Sequence, residues 1–204
     1  MTSPPRAVII TDNKIRPGWE VTMAQSVNVV VCMAGRDIIG SLQIPDGLRI
    51  SDYLNDRPKI QSDFLCLKEA TIKIEDGTRE TLQTVYINKK SVQMITTLEA
   101  DLAQGIGALA GRKPYPFTKK RPIRTKIHLS GYELGCFLHH AESSGITDLF
   151  TQEQTFIPCT QPTIYDFNSN SHWKVGFAMI NKNHVSCFEE EEQNASYLSV
   201  NRSS

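Results

Sequence analysis

The sequence predicts a mainly all-β chain, an internal duplication of two small five-stranded barrels joined by a short helix or Pro-rich connector. Three observations lead there. Thr84 to Glu99, TVYINKKSVQMITTLE, returns about ninety residues later as Gly176 to Glu191, GFAMINKNHVSCFEEE, with Ile87-Asn88-Lys89 matched by Ile180-Asn181-Lys182. Short runs alternate apolar and polar residues between turn signals, the period of strands that bury one face. Gly40 with Gly135, Ile50 with Ile146, Ile72 with Ile164 and Ile87 with Ile180 are co-linear at spacings of about 92 to 96 residues, so insertions are confined to turns.

In the lead-in, residues 1–26, Ala7 to Thr11 favours a short strand and Asn13 to Ala24 is irregular chain carrying Trp19. The first unit spans 27–98. Val27, Val29, Val31 and Met33 share one face, Ala34-Gly35-Arg36-Asp37 turns, and Ile38, Gly40, Leu42 and Ile44 resume the period, a hairpin closed by Pro45-Asp46-Gly47. Ile50 to Leu54 reads as one helical turn capped by Ser51 or Asp52, plugging a barrel end. Phe64 to Ile74 is a strand with a break at Lys68-Glu69. After the acidic turn Glu75-Asp76-Gly77, Thr81 to Asn88 and Ser91 to Leu98 are strands joined at Asn88-Lys89-Lys90, where Asn is expected for its tolerance of positive φ.

Residues 99–124 connect the units. Glu99 to Gly111 carries Leu98, Leu102 and Ile106 at helical spacing, but Gly105 and Gly107 would each cost a helix about 1 kcal/mol. Arg112 to Arg124 holds Pro114, Pro116 and Pro122 with six basic residues and no acid, a stiff linker. The second unit, 125–190, alternates through Thr125, Ile127 and Leu129, turns at Ser130-Gly131-Tyr132 and returns from Leu134 to His140. Ile146 to Phe150 repeats Ile50 to Leu54, Phe156 to Ile164 repeats Phe64 to Ile72, and Trp173, Val175, Phe177 and Met179 alternate into the second Asn-Lys corner. Residues 191–204, polar and serine-rich, have the composition of a disordered tail.

Acidic and basic residues number 22 each, so any attraction to nucleic acid or anionic lipid has to come from local clusters. No apolar run approaches the ~20 residues that span a bilayer. The opening MTSPPRAVIITDNK lacks the basic and apolar regions of a secretion signal, so no membrane association and a cytoplasmic location are expected. Cys32, Cys66, Cys136, Cys159 and Cys187, odd in number and scattered, fit thiols in a reducing compartment.

Gly35 to Gly40 supplies a G-x-x-x-x-G turn, followed by Asp52-Tyr53-Leu54-Asn55 and later by Ile87-Asn88-Lys89. In these features the unit resembles the Sm-like branch of the SH3-type barrels, where a Gly-containing turn precedes Asp-x-x-Met-Asn and an apolar strand ends in Ile-Arg-Gly. The second copy has Thr151 in the place of Asn55, and neither copy has the Arg-Gly pair. The tandem arrangement also resembles bacterial proteins grouped only as a domain of unknown function, which implies a fold and no activity. The Sm-like resemblance implies single-stranded RNA binding through Asn55, Lys89 and Lys182. In the connector, Tyr115 and Phe117 stand among Lys113, Lys119, Lys120, Arg121 and Arg124, a mix that can stack bases and neutralise phosphates. The same residues can instead pin the connector between the units while the charges stay wet. The acidic run Glu189 to Glu192, opposite in sign, is a candidate to fold back on this basic segment.

Cys136-x-x-His139 and His184-x-x-Cys187 have the residue types of a metal quartet, but residues three apart on a strand point to opposite faces, so no metal and no cofactor is expected. The sequence has no nucleophile elbow, His-Glu-x-x-His or Walker loop, and Gly105-Ile106-Gly107 with Gly111 misses the dinucleotide spacing. The histidines have no obvious acidic orienter in the sequence. A cyclic-dinucleotide receptor would use basic residues ahead of a first strand, where Arg121 and Arg124 stand, but its Asp-x-Ser-x-x-Gly half is missing. The expectation is a non-enzymatic interaction or regulatory module with a protein partner, self-association included, and RNA binding as the alternative.

Overall fold

The structure, a computed structural model, describes residues 24–45, 48–55, 63–74, 77–98 and 119–191. The expected strand at 7–11, Trp19, the connector up to residue 118 and the tail beyond 191 lie outside them.

Period-two alternation builds the first half. β1 (Ala24–Met33) and β2 (Arg36–Pro45) form the hairpin around Ala34-Gly35, with Gly35 at φ 72, a left-handed value that costs glycine nothing. α1 (Ile50–Asn55) is a single turn burying Ile50 and Leu54. β3 (Phe64–Ile74), β4 (Arg79–Asn88), a 3-10 turn at Lys89–Ser91 and β5 (Val92–Thr97) complete it. β5 returns to pair with β1, giving the lateral order β5-β1-β2-β3-β4.

The second half runs through the same succession. β6 (Lys120–Leu129), β7 (Tyr132–Ala141), α2 (Ile146–Thr151) and β8 (Phe156–Asp166) precede β9 (Ser171–Lys174) and β10 (Phe177–Asn181), which both lie along β8 as β4 lies along β3. A second 3-10 turn, Lys182–His184, leads into β11 (Cys187–Glu190), which pairs with β6. β6 starts at Lys120, so Lys120, Arg121 and Arg124, expected in a linker, belong to a strand. Pro122 fits there because β11 pairs with Thr125 to His128, so that among the described strands the Pro122 stretch of β6 is paired on the β7 side alone.

The expected break in the third strand is a β-bulge in both halves. Glu69 and Gln161 sit at φ 50 and 51, and the facing strands shift register between Ile39 and Ser41 and between Gly135 and Phe137. The corners differ from expectation. Asn88 and Asn181 have φ −66 and −76, not positive values; each caps its 3-10 turn by accepting a bond from the N–H two residues on.

The all-β class holds, with two short helices, but the strands form one open antiparallel sheet rather than two closed barrels. Its order is β11-β6-β7-β8-β10-β5-β1-β2-β3-β4, with β9 beside β8. The halves meet where β10 pairs with β5, Ala178 opposite Thr96, Met179 opposite Ile95 and Ile180 opposite Met94. Two cores result, and each borrows from the other half. Phe156 and Met179 join the core of the first half, while Cys32 and Met94 join that of the second.

At Gly40 an added Cβ would meet the Lys68 carbonyl oxygen at 3.0 Å, across the bulge, whereas at Gly135 it would meet nothing within 4 Å. Gly40→Ala should therefore cost about 1–3 kcal/mol of stability, and Gly135→Ala should stay within about 0.5 kcal/mol of wild type. Urea midpoints of the two variants test the contrast.

Candidate functional site

Three of the residues that the sequence marks for ligand binding, Asn55, Lys89 and Lys182, stand on the first one-turn helix and the two 3-10 corners. Asn55, the last residue of α1, spends its side chain on one backbone segment: Nδ2 donates to the Phe156 carbonyl and Oδ1 accepts from the Phe156 N–H, both at 2.8 Å. It ties the first half to the second. Lys89 lies over the Tyr53 ring at 5.8 Å, and burial pulls its pKa down while Asp63 partly restores it. Lys182 donates to the Gln152 carbonyl. The three residues are thus engaged with protein groups, each in a different local setting.

The basic stretch is partly neutralised. Lys119 pairs with Glu142 at 2.8 Å, and Arg124 with Glu191. The latter contact, with β11 lying on β6, places Glu191 of the acidic run against Arg124, the last residue of the basic segment. Lys120 and Arg121 remain exposed. The cysteine and histidine pairs go to separate places: His139 bonds Thr160 at 2.8 Å, His184 bonds the Lys90 carbonyl at 2.7 Å, Cys136 is buried and Cys187 is exposed.

The hairpin tips of both halves also line a cleft of about 90 Å3 that includes Arg36, Asp37, Tyr132 and Asp166. Small-molecule pockets run to roughly 300 Å3 or more. Its polar groups also bond one another: Tyr132 Oη donates to Asp37 Oδ1 at 2.8 Å, and Asp166 accepts from the Asn168 N–H at 2.9 Å and from Ser169 Oγ at 2.6 Å. Behind it, burial first and Asp37 second push the Cys32 thiol well up. Burial, with Cys32 and Asp37, likewise keeps the Tyr132 phenol protonated as a donor.

Among the described residues, the two edges of the sheet each have a strand on one side only. β4 has β3 on one side, and along its other side no described strand pairs. It presents Tyr86, 69% exposed, beside Phe64, 47% exposed, at the start of β3. β11 is the opposite edge, with Phe188 stacked on Phe150 of α2 at a centroid distance of 4.3 Å. An edge strand offers a row of backbone donors and acceptors to any extended chain, and apolar side chains beside it add grip.

Reading the sequence for charge and motif missed Tyr86 and Phe64, as well as the seam residues Met94, Phe156, Met179 and Asn181. One signal was available. Ala178-Met179-Ile180 is an unbroken apolar run, the mark of a strand covered on both faces, and its counterpart Val85-Tyr86-Ile87 is equally apolar.

No family model, curated protein or solved structure matches the chain. Among the described residues no helix is long and apolar enough to cross a membrane.

Asn181 is fully buried, donating to the carbonyls of Val92 at 2.8 Å and Lys89 at 3.4 Å, whereas Asn88 is exposed and caps only its own turn. Asn181→Ala should destabilise by about 1–3 kcal/mol, because it orphans buried backbone groups. Asn88→Ala should cost about 0.5–1 kcal/mol, a difference that thermal or urea unfolding resolves.

The raised thiol and phenol pKa values set a pH window. Cys32, Cys159, Tyr53 and Tyr132 resist ionisation when folded, so their contribution is complete below the ordinary thiol value of 9.0 and is lost as the pH rises above it, where the unfolded chain ionises first. Urea midpoints from pH 7 to 11 should fall above about pH 9, and Cys32→Ala should make that fall shallower relative to its own value at pH 7.

Proposed function

We propose that this chain is a non-catalytic, cytoplasmic interaction module that binds a polypeptide by accepting an added strand at its open sheet edge. The exposure of Tyr86 on β4, on a strand with no described neighbour along one side, carries this reading. Backbone pairing supplies affinity in such a mode, and alternate side chains supply specificity. Five free thiols accord with a reducing compartment. We also read each half as an open Sm-like, SH3-type unit, supported by the order β5-β1-β2-β3-β4, by its repetition in β11-β6-β7-β8-β9/β10, and by the 3-10 corner before the last strand.

Single-stranded RNA is the second reading, favoured by the exposure of Lys120 and Arg121. It has less support, because Asn55 is bonded to Phe156 and both Lys119 and Arg124 are in ion pairs.

Affinity capture from the source-cell lysate, with and without nuclease, separates the two. Bound protein should survive nuclease and be lost with Tyr86→Lys, while Lys119/Lys120/Arg121→Glu should leave capture intact. A salt-dependent shift with poly(U), abolished by that triple change, together with capture that nuclease removes, would replace the protein reading with the RNA one.

A further inference from the structure

Neighbouring strands of the second half put a thiol, an imidazole and a carboxylate in one line. Cys187 on β11 lies opposite His128 on β6, and His128 lies opposite Glu133 on β7. Opposite residues on antiparallel strands share a face, with Cβ atoms about 4.5–5.5 Å apart. Ile127, Leu129 and Leu134 take the core face of β6 and β7, so this row stands on the outer one. We propose that Cys187 is a site of reversible modification by low-mass disulfides, with His128 as the base that takes its proton and Glu133 as the residue that positions His128. The inference stands apart from the strand-accepting reading.

The imidazole is held in the order that the chemistry needs. Nδ1 faces Glu133, 3.7 Å from Oε2, and Lys126 Nζ lies 3.8 Å from the other oxygen of that carboxylate. Nε2 is turned toward β11. It is shut off from solvent, has no hydrogen-bond partner among the described residues, and lies 3.5 Å from Oε1 of Glu189, two residues beyond Cys187 on the same face. A ring with a carboxylate at one nitrogen, and the other unsatisfied on the side of a nucleophile, is the arrangement that activates a cysteine.

Exposure selects Cys187 among the thiols. Cys32, Cys136 and Cys159 are buried, and Cys66 is half-buried and faces Tyr86 rather than a histidine. The matching row of the first half, Met94, Cys32 and Asp37, has the same register but no imidazole, and its first two members are buried at the seam. The fold itself therefore does not require a Cys-His-Glu row, which occupies the copy whose last strand is an outer edge.

In the step, the Cys187 proton passes to His128 Nε2 and Sγ attacks one sulfur of a disulfide RSSR. The S–S bond breaks with its electron pair on the departing sulfur, which takes the proton from Nε2 and leaves as RSH. Cys187 is oxidised to the mixed disulfide and one RS group is reduced to thiol, so the disulfide is itself the oxidant; excess RSH reverses the step.

Hydroxyethyl disulfide, small and neutral, is the probe, and the full chain is followed by intact mass and peptide mapping over time. The first hydroxyethylthio group should appear at Cys187. His128→Gln should slow that site by about tenfold or more while Cys66 keeps its rate. A merely structural role moves the rate the other way, since loosening β11 makes an exposed thiol react faster. Glu133→Gln should slow Cys187 several-fold, and Glu133→Asp should restore part of the loss. A Cys187 rate that is unchanged or raised in His128→Gln, or first modification at Cys66, overturns the proposal. If His128→Gln disrupts the fold, labelling at Cys32, Cys136 and Cys159 reports it, and the Glu133→Gln and Glu133→Asp pair then decides: no slowing at Cys187 overturns the proposal.

Discussion

The antiparallel pairing of β5 with β10 is the constraint on which the rest of the molecule depends. A five-stranded half whose fourth and fifth strands have no neighbour on their outer sides has two rows of unsatisfied backbone groups, and the seam satisfies one row from each half. Its cost is that both faces of the joined strands must be covered. All six residues of β5 are buried, as are Ala178 to Asn181 on β10. That requirement explains the exchange of side chains, with Met94 and Cys32 filling the second core and Met179 and Phe156 filling the first. It explains the polar ties as well. Asn55 holds the Phe156 backbone, and Asn181 reaches back to Val92, because backbone groups buried at a junction need partners that the ladder does not supply.

The same seam makes two matching halves unequal. Counterpart residues have different fates according to whether a neighbour lies beside them: Met179 is buried and Tyr86 exposed, Phe156 buried and Phe64 half-exposed, Asn181 enclosed and Asn88 in solvent. β11 shows some of the usual protection of an edge, being four residues long and carrying Glu189 and Glu190. β4 has charges only toward its start, at Arg79 and Glu80, while its end is Val85-Tyr86-Ile87. The less protected edge is therefore also the one that can do something.

Much of the fold was legible because alternation is a local property. The hairpins, the one-turn helices, the break at Lys68-Glu69 and the corner positions follow from residues within a few places of one another, where the chain's own pleat and turn chemistry decide the outcome. The site was much less legible. Asn55 and Lys182 were singled out for polar side chains, yet their partners, Phe156 and Gln152, are distant in sequence, and no periodicity reports such a contact. The end of the expected linker, Lys120 to Arg124, is strand for a related reason: a proline argues against a strand only where both sides of that strand are paired, and the described part of β11 pairs with β6 only from Thr125 to His128.

By itself, then, the sequence determined an all-β chain with a recurring succession of short strands, because burying one face of a pleated strand needs only a period of two and suitable turns. Only the tertiary structure decided that the two successions share one sheet, which strands end as edges, and which apolar residues are left in water. Those outcomes turn on which backbone row finds a partner. Any unpaired strand can satisfy another, and the choice between closing on itself and joining a neighbour is made by packing across the seam.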